Sequence, residues 1–238
     1  MLFRSESPSN LLKTDRDFIT RLKDSVPEDV ILYGEYAAVD INARYIDCNI
    51  SYSIIDTVVD MIETAWHGCD GDDRMSRVIT DLYRFAFPGI VQLVLPMAMR
   101  NLSWHPQKFI FFNGEAIYDS LWDLEESAGH AFTCRAYGLK KQYADCFSSD
   151  APETMVETLS PAICANRFPG EGREVYTVYN RAYSTYRGPV LRVPHTEGST
   201  YYDAWNDRPL KADIHDGWAE LHLELHAQSI GCIAITRV

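Results

Sequence analysis

VILYGEY (30–36), IVQLVLPM (90–97) and FIFFNGEA (109–116) are the stretches that decide the fold. Each is a short apolar run that ends in acidic or amide-rich polar residues. A continuous apolar run of about four to eight residues reads as a strand buried on both faces, the habit of a parallel sheet covered by helices. Two of the runs carry a glutamate where the strand ends, Glu35 and Glu115. The C-terminal end of a parallel barrel strand is where such enzymes keep their chemistry.

Working outward, the intervening segments read mostly as helices. Thr14 followed by Asp17 is a capped start, and Phe18, Ile19, Leu22 and Val26 then share one helical face that Pro27 closes. The stretch 39–63 mixes signals and reads as a long loop over the first strand's end, then a helix near 51–65. HGCDGDD (67–73) is a turn by its glycines and aspartates. Val78, Ile79, Leu82, Tyr83 and Phe87 have the spacing of a helix that leads into the second run. After the third run, Leu121, Leu124, Ala128, Phe132, Ala136, Leu139 and Tyr143 recur at helical steps.

The tail has a different character. EVYTVYNR, GPVLRVPH, WAELHLELHA and GCIAITRV are β-rich, with turn signals between them, as in an antiparallel sandwich. Leu221, Leu223 and Leu225 alternate with His222, Glu224 and His226, which is one buried face and one exposed face. The expected organisation is an irregular start (1–13), an α/β domain (14–150), a linker (151–161) flanked by prolines, and an all-β domain (162–238) that folds on its own.

Composition narrows the function. The chain has 238 residues, 46% hydrophobic and 24% charged, a globular balance. Its formal charge of -12 disfavours nucleic acid and anionic membrane as partners, since phosphate binding needs concentrated positive charge. A neutral ligand such as carbohydrate fits better. The longest apolar stretch, residues 85–99, is interrupted by Pro88, Gln92 and Pro96 and is shorter than the roughly 20 residues of a membrane helix. The N-terminus lacks the apolar core of a secretory signal, so a cytoplasmic location is expected. The six cysteines form no C-x-x-C pair and no Cys/His ligand spacing, so neither a metal nor a cofactor is indicated. Nucleophile-elbow, zinc-protease and phosphate-loop motifs are lacking too.

Glycoside hydrolysis needs two carboxyl groups across the scissile bond. Glu35 and Glu115, on different strands at one end, have the placement such a pair requires. A strand-end glutamate can equally cap a helix or pair with Arg44 or Arg100. Behind Glu35, Asp40, Arg44, Tyr45 and Asp47 crowd into one loop and offer charge-assisted bonds and a ring face to a sugar. That loop can also hold itself together by salt bridges. Arg100 and Trp104 follow the second run, where another loop would line the same mouth, and Trp104 serves as well in core packing. Asn113 and Gly114 precede Glu115, the glycine permitting a bulge or the close approach of a ligand.

The runs LYGEYAAVDINARYID, RFAFPGIVQLVLPM, FFNGEAIYDSLWD, YNRAYSTYRGPVLRVPH and YYDAWNDRPL resemble the C-terminal portion of uncharacterised glycoside-hydrolase-like proteins. These are similar in plan to α-galactosidase-type enzymes, a (β/α)8 (TIM) barrel followed by a β-sandwich. The resemblance covers about residues 14–238. It implies a partial barrel of about the last three βα units, strands six, seven and eight, because a whole barrel takes about 250 residues. It also implies that Glu35 or Asp40 holds the acid position, while the nucleophile belongs to a strand this chain does not have. A chain so built would be inactive alone, and its exposed sheet edges would invite self-association. The competing expectation is a noncatalytic carbohydrate-binding or scaffolding protein.

Overall fold

The computed structural model describes residues 16–35, 45–51, 79–94, 105–117 and 128–237. In chain order these begin with α1 (Arg16–Ser25), β1 (Tyr33–Glu35), β2 (Cys48–Ser51), α2 (Leu82–Ala86), β3 (Val91–Val94), α3 (His105–Phe112) and β4 (Ala116–Ile117). The strands pair side by side in the order β1-β2-β3-β4, all parallel. No helix among the described residues is long and apolar enough to cross a membrane.

Two of the expected strands stand where the apolar runs placed them, and a fourth parallel strand appears. Cys48–Ser51, expected as loop leading into a helix, is instead the central strand β2, flanked by β1 and β3. Its run YIDCNIS is broken by Asp47 and Asn49, so it lacks the continuous apolar pattern of the other strands.

The third run departs from the reading altogether. FIFF is the end of helix α3, and only Ala116–Ile117 pair as strand. The helix opens with Pro106 in its first turn, where a missing N–H costs nothing. It stops at Gly114, whose φ is +69°. Gly114 N donates to Phe111 O at 2.9 Å and Glu115 N to Ile110 O at 3.0 Å, the two crossed bonds of a Schellman stop. Phe109, Ile110, Phe111 and Phe112 are all buried because the helix is covered all round. A run of four buried apolar residues does not distinguish such a helix from a buried strand.

The rest of the chain comprises α4 (Ala128–Gln142), α5 (Ala144–Phe147) and eight strands: β5 (Ile163–Pro169), β6 (Arg173–Asn180), β7 (Tyr186–Pro194), β8 (Thr200–Asp203), β9 (Arg208–Pro209), β10 (Ala212–His215), β11 (Trp218–Leu225) and β12 (Ile230–Thr236). They form antiparallel sheets in the orders β5-β6-β12-β8-β9 and β10-β11-β7. On β11, Leu221, Leu223 and Leu225 are buried, as the alternation predicts. Residues 151–161 run along the sandwich: Glu153 and Val156 bond to β5, and Leu159 N donates to Val190 O of β7 at 3.0 Å.

β6 and β12 do not alternate, and the reason is burial on both faces. Toward the small sheet, Ile163, Val178, Ile233 and Ile235 meet Val190, Leu191 and Leu221. On the opposite face, Phe168, Val175, Tyr179 and Cys232 pack with Phe109, Phe111, Phe112 and Phe147 of the helices. The layers are pinned by polar bonds too. Phe112 O accepts from Asn166 Nδ2 at 2.9 Å and from Thr177 Oγ1 at 2.6 Å, both residues fully buried.

A shared core predicts shared folding. Phe168→Ala in the full chain should cost about 3–5 kcal/mol by denaturant titration. A fragment of residues 151–238 should melt at lower temperature than the whole chain and bind a hydrophobic dye, because one face of its large sheet is uncovered. A fragment with the parent's melting temperature would show that the helices contribute nothing to it.

Candidate functional site

Strand direction sorts the expected site residues into two groups. Glu35, Ser51, Val94 and Ile117 are the last residues of the four parallel strands and share one end of the sheet. Glu35 ends β1 opposite Ile50 of β2, the position expected for it. Asp40, Arg44, Arg100 and Trp104 lie outside the described residues.

Four other residues lie at the opposite end. Tyr45 and Asp47 precede β2 rather than following β1, so they belong to the sheet's N-terminal side. The Asp47 carboxylate accepts from Leu32 N at 2.8 Å and pairs with Lys23 of α1 at 3.2 Å. It ties the first helix to the entry of β1. Asn113 and Glu115 precede β4, so the expected placement of Glu115 at a strand's C-terminal end does not hold. Asn113 is an internal clamp: Oδ1 accepts from Asp81 N at 3.0 Å, while Nδ2 donates to Ile79 O at 2.9 Å and Phe109 O at 2.8 Å. The neighbour that requires Gly114 is Phe168 rather than a ligand, since a Cβ there would lie 2.6 Å from its ring.

Glu115 anchors a buried ionic cluster that the sequence did not mark. It is 4% exposed and lies with Asp81, Arg84 and Lys140 between the parallel sheet and the sandwich. Burial raises its carboxyl well above the usual range, and a hydrogen bond with Asp81 raises it further, against the pull of Lys140 and Arg84. Burial also depresses Lys140, with help from Arg84 and against Glu115, to about 7. Lys140 Nζ donates to Gly114 O at 2.9 Å, and Arg84 Nη2 donates to Phe147 O at 2.8 Å. Each long side chain therefore caps a helix end, which is a structural task. The signal available beforehand was weak, because Arg84 and Lys140 sit in stretches that read as ordinary amphipathic helix.

A second polar feature crosses the sheet itself. Asn49 of β2 and Gln92 of β3 are register partners, buried, and joined by a 3.0 Å bond from Asn49 Nδ2 to Gln92 Oε1. Among the described residues Asn49 Oδ1 and Gln92 Nε2 have no hydrogen-bond partner. Among the described residues no group of three His, Cys, Asp or Glu side chains is arranged to hold a metal.

A short parallel α/β sheet, its first strand ending at Glu35, backed by an antiparallel sandwich, defines the class: an α/β plus β-sandwich fold. Comparison with known proteins agrees at the level of fold. No family model and no curated protein matches the sequence. Solved structures do match. A cyclomaltodextrin glucanotransferase with a three-domain arrangement aligns at TM-score 0.64 and 11% identity, over 94% of this chain and 54% of its own. An Anoxybacillus α-amylase aligns at 0.60 and 12%, over 94% and 56%. A Geobacillus stearothermophilus β-L-arabinopyranosidase of family GH27, in complex with arabinose, aligns at 0.54 and 11%, over 96% and 56%. The fold is therefore glycoside-hydrolase-like, and the chain spans a little more than half the length of these neighbours.

The buried acid generates a pH test. A carboxyl whose folded pKa is raised contributes most below its unfolded value of about 4.3, and that contribution is lost as pH rises toward the folded value. Glu115→Gln keeps the donor to Asp81 and cannot ionise. Its stability relative to the parent should be level near pH 4. Above that the variant should gain by about 1.4 kcal/mol per pH unit until the folded pKa is reached. Parallel stability curves from pH 4 to 8 would show that Glu115 is ionised in the fold.

Proposed function

We propose that this chain is the C-terminal part of a glycoside hydrolase, comprising the last four βα units of a (β/α)8 barrel and the sandwich that follows them. The supporting observation is Glu35 closing a parallel strand, in a fold whose neighbours are glycoside hydrolases. Catalytic residues of such barrels stand at the C-terminal strand ends. In this reading Glu35, or Asp40 beyond it, protonates the leaving oxygen, and Arg44, Arg100 and Trp104 contact the sugar. The carboxylate partner belongs to a strand outside this chain, so the chain alone binds but does not hydrolyse. No cofactor is needed for carboxylate chemistry, and the charge of -12 fits a neutral glycan. Among the described residues the parallel sheet ends at β1 and β4, and unpaired sheet edges favour self-association.

A second reading draws on the N-terminal placement of Glu115, which leaves Glu35 as the acid described at the strand ends. In it the chain is a noncatalytic carbohydrate-binding protein.

The test has two arms. Aryl glycosides and maltoheptaose should not be turned over by the chain alone, and turnover there would overturn the missing-nucleophile reading. The reading frame upstream of Met1 should encode about four further βα units, matching the eight strands of a barrel. In that extended polypeptide Glu35→Gln should lower turnover by about two to four orders of magnitude with the fold intact. Unchanged turnover moves the acid to Asp40, and an unrelated upstream region leaves the carbohydrate-binding reading. Light scattering should show species larger than the 27.2 kDa monomer.

A further inference from the structure

The sandwich carries a groove of about 440 Å³ along the edge where β5, β6 and β7 meet the strap of residues 153–157. That volume lies within the range of small-ligand sites, roughly 300–1,000 Å³. Its apolar lining comes from Val156, Leu191, Val193 and Pro194. Its polar lining is built on Glu174, a carboxylate 1% exposed. Arg167 Nε donates to Glu174 Oε2 at 2.6 Å and to Glu153 through Nη1, and Arg237 holds the other Glu174 oxygen.

We propose that this groove binds a neutral oligosaccharide, with Trp218 and Arg192 forming a platform at its rim. The charges bear first on the class of ligand. Arg167, Arg192 and Arg237 are matched by Glu153, Glu157 and Glu174 around one groove, so neither an anion nor a cation gains net attraction. A purely apolar ligand would strand those charges without water. A ligand rich in hydroxyls both donates and accepts. An arginine carries five N–H donors, more than the two bonds of Arg167 and the one of Arg237 to the glutamates of the groove use. Among the described residues Glu157 joins no ion pair, and its carboxylate is an acceptor for a hydroxyl.

The rim adds a stacking surface. Arg192 and Pro194 alternate outward from the buried Leu191 and Val193, and Pro194 is the register partner of Trp218 on β11. The indole is 40% exposed, and the Arg192 guanidinium carbon lies 5.2 Å from its ring centre. An exposed indole beside a matched set of donors and acceptors supplies the apolar face and polar edge that a sugar ring presents in turn. The groove is distinct from the strand ends that carry Glu35, so it adds a second contact for the same class of ligand. Only the choice of glycans as ligand draws support from the glycoside hydrolase reading.

The experiment uses the full chain on an array of neutral and anionic glycans, followed by titration of the strongest neutral glycan. Trp218→Ala and Arg192→Ala should each weaken Kd at least tenfold, and the parent's tryptophan emission should change on binding. Both side chains are exposed, so melting temperature should stay unchanged, which separates lost binding from lost fold. Binding that survives in the double variant would place the glycan at the strand ends, overturning this inference and leaving the proposed function standing. Binding confined to anionic glycans, or to none, would overturn it as well.

Discussion

The carbonyl of Phe112 is the point on which the two layers turn. It ends helix α3, where a carbonyl has no partner within the helix, and it is buried, where an unpaired carbonyl is costly. Asn166 and Thr177, from neighbouring strands of the large sheet, both donate to it. The bond can form only if α3 lies flat on that sheet, and this forces the FIFF segment between two layers. Gly114 completes the constraint: its left-handed conformation stops the helix, and its missing Cβ admits Phe168.

From that contact follows the unusual burial of the sandwich. A two-sheet sandwich ordinarily leaves its outer faces to water, and its strands alternate. Here the outer face of β5, β6 and β12 is the floor on which the helices sit. Cys164, Cys146 and Cys232 are buried as small apolar side chains, and burial raises each of their thiols. Thiols held in the neutral form are poor nucleophiles, in keeping with a packing role.

The ionic cluster belongs to the same seam. Lys140 and Arg84 each deliver a cation to a carbonyl at the end of a buried helix, and Glu115 lies beside them with Asp81. Such a group pins two helix ends at the seam, away from the C-terminal ends of the strands. The molecule thus separates its tasks along the strand axis. The N-terminal ends of the parallel strands, with Asp47, Asn113 and Glu115, attach helix and sandwich, while Glu35 stands at the opposite end.

Local pattern was enough to place the parallel strands around Tyr33–Glu35 and Val91–Val94, the first helix, the long helix before Gln142 and the alternation of β11. Those elements carry strong local signals, a continuous apolar run or a strict period. It also determined the position of Glu35 at a strand end. Tertiary structure alone decided that FIFF is helix, because four apolar residues satisfy a helix buried all round as well as a strand buried on both faces. It alone decided that CNIS is a strand, because Asn49 finds Gln92 only across the sheet. And it alone decided the placement of Tyr45 and the tasks of Asp47, Asn113 and Glu115: a polar residue shows its type in the sequence, but which end of a strand it serves depends on where that strand begins.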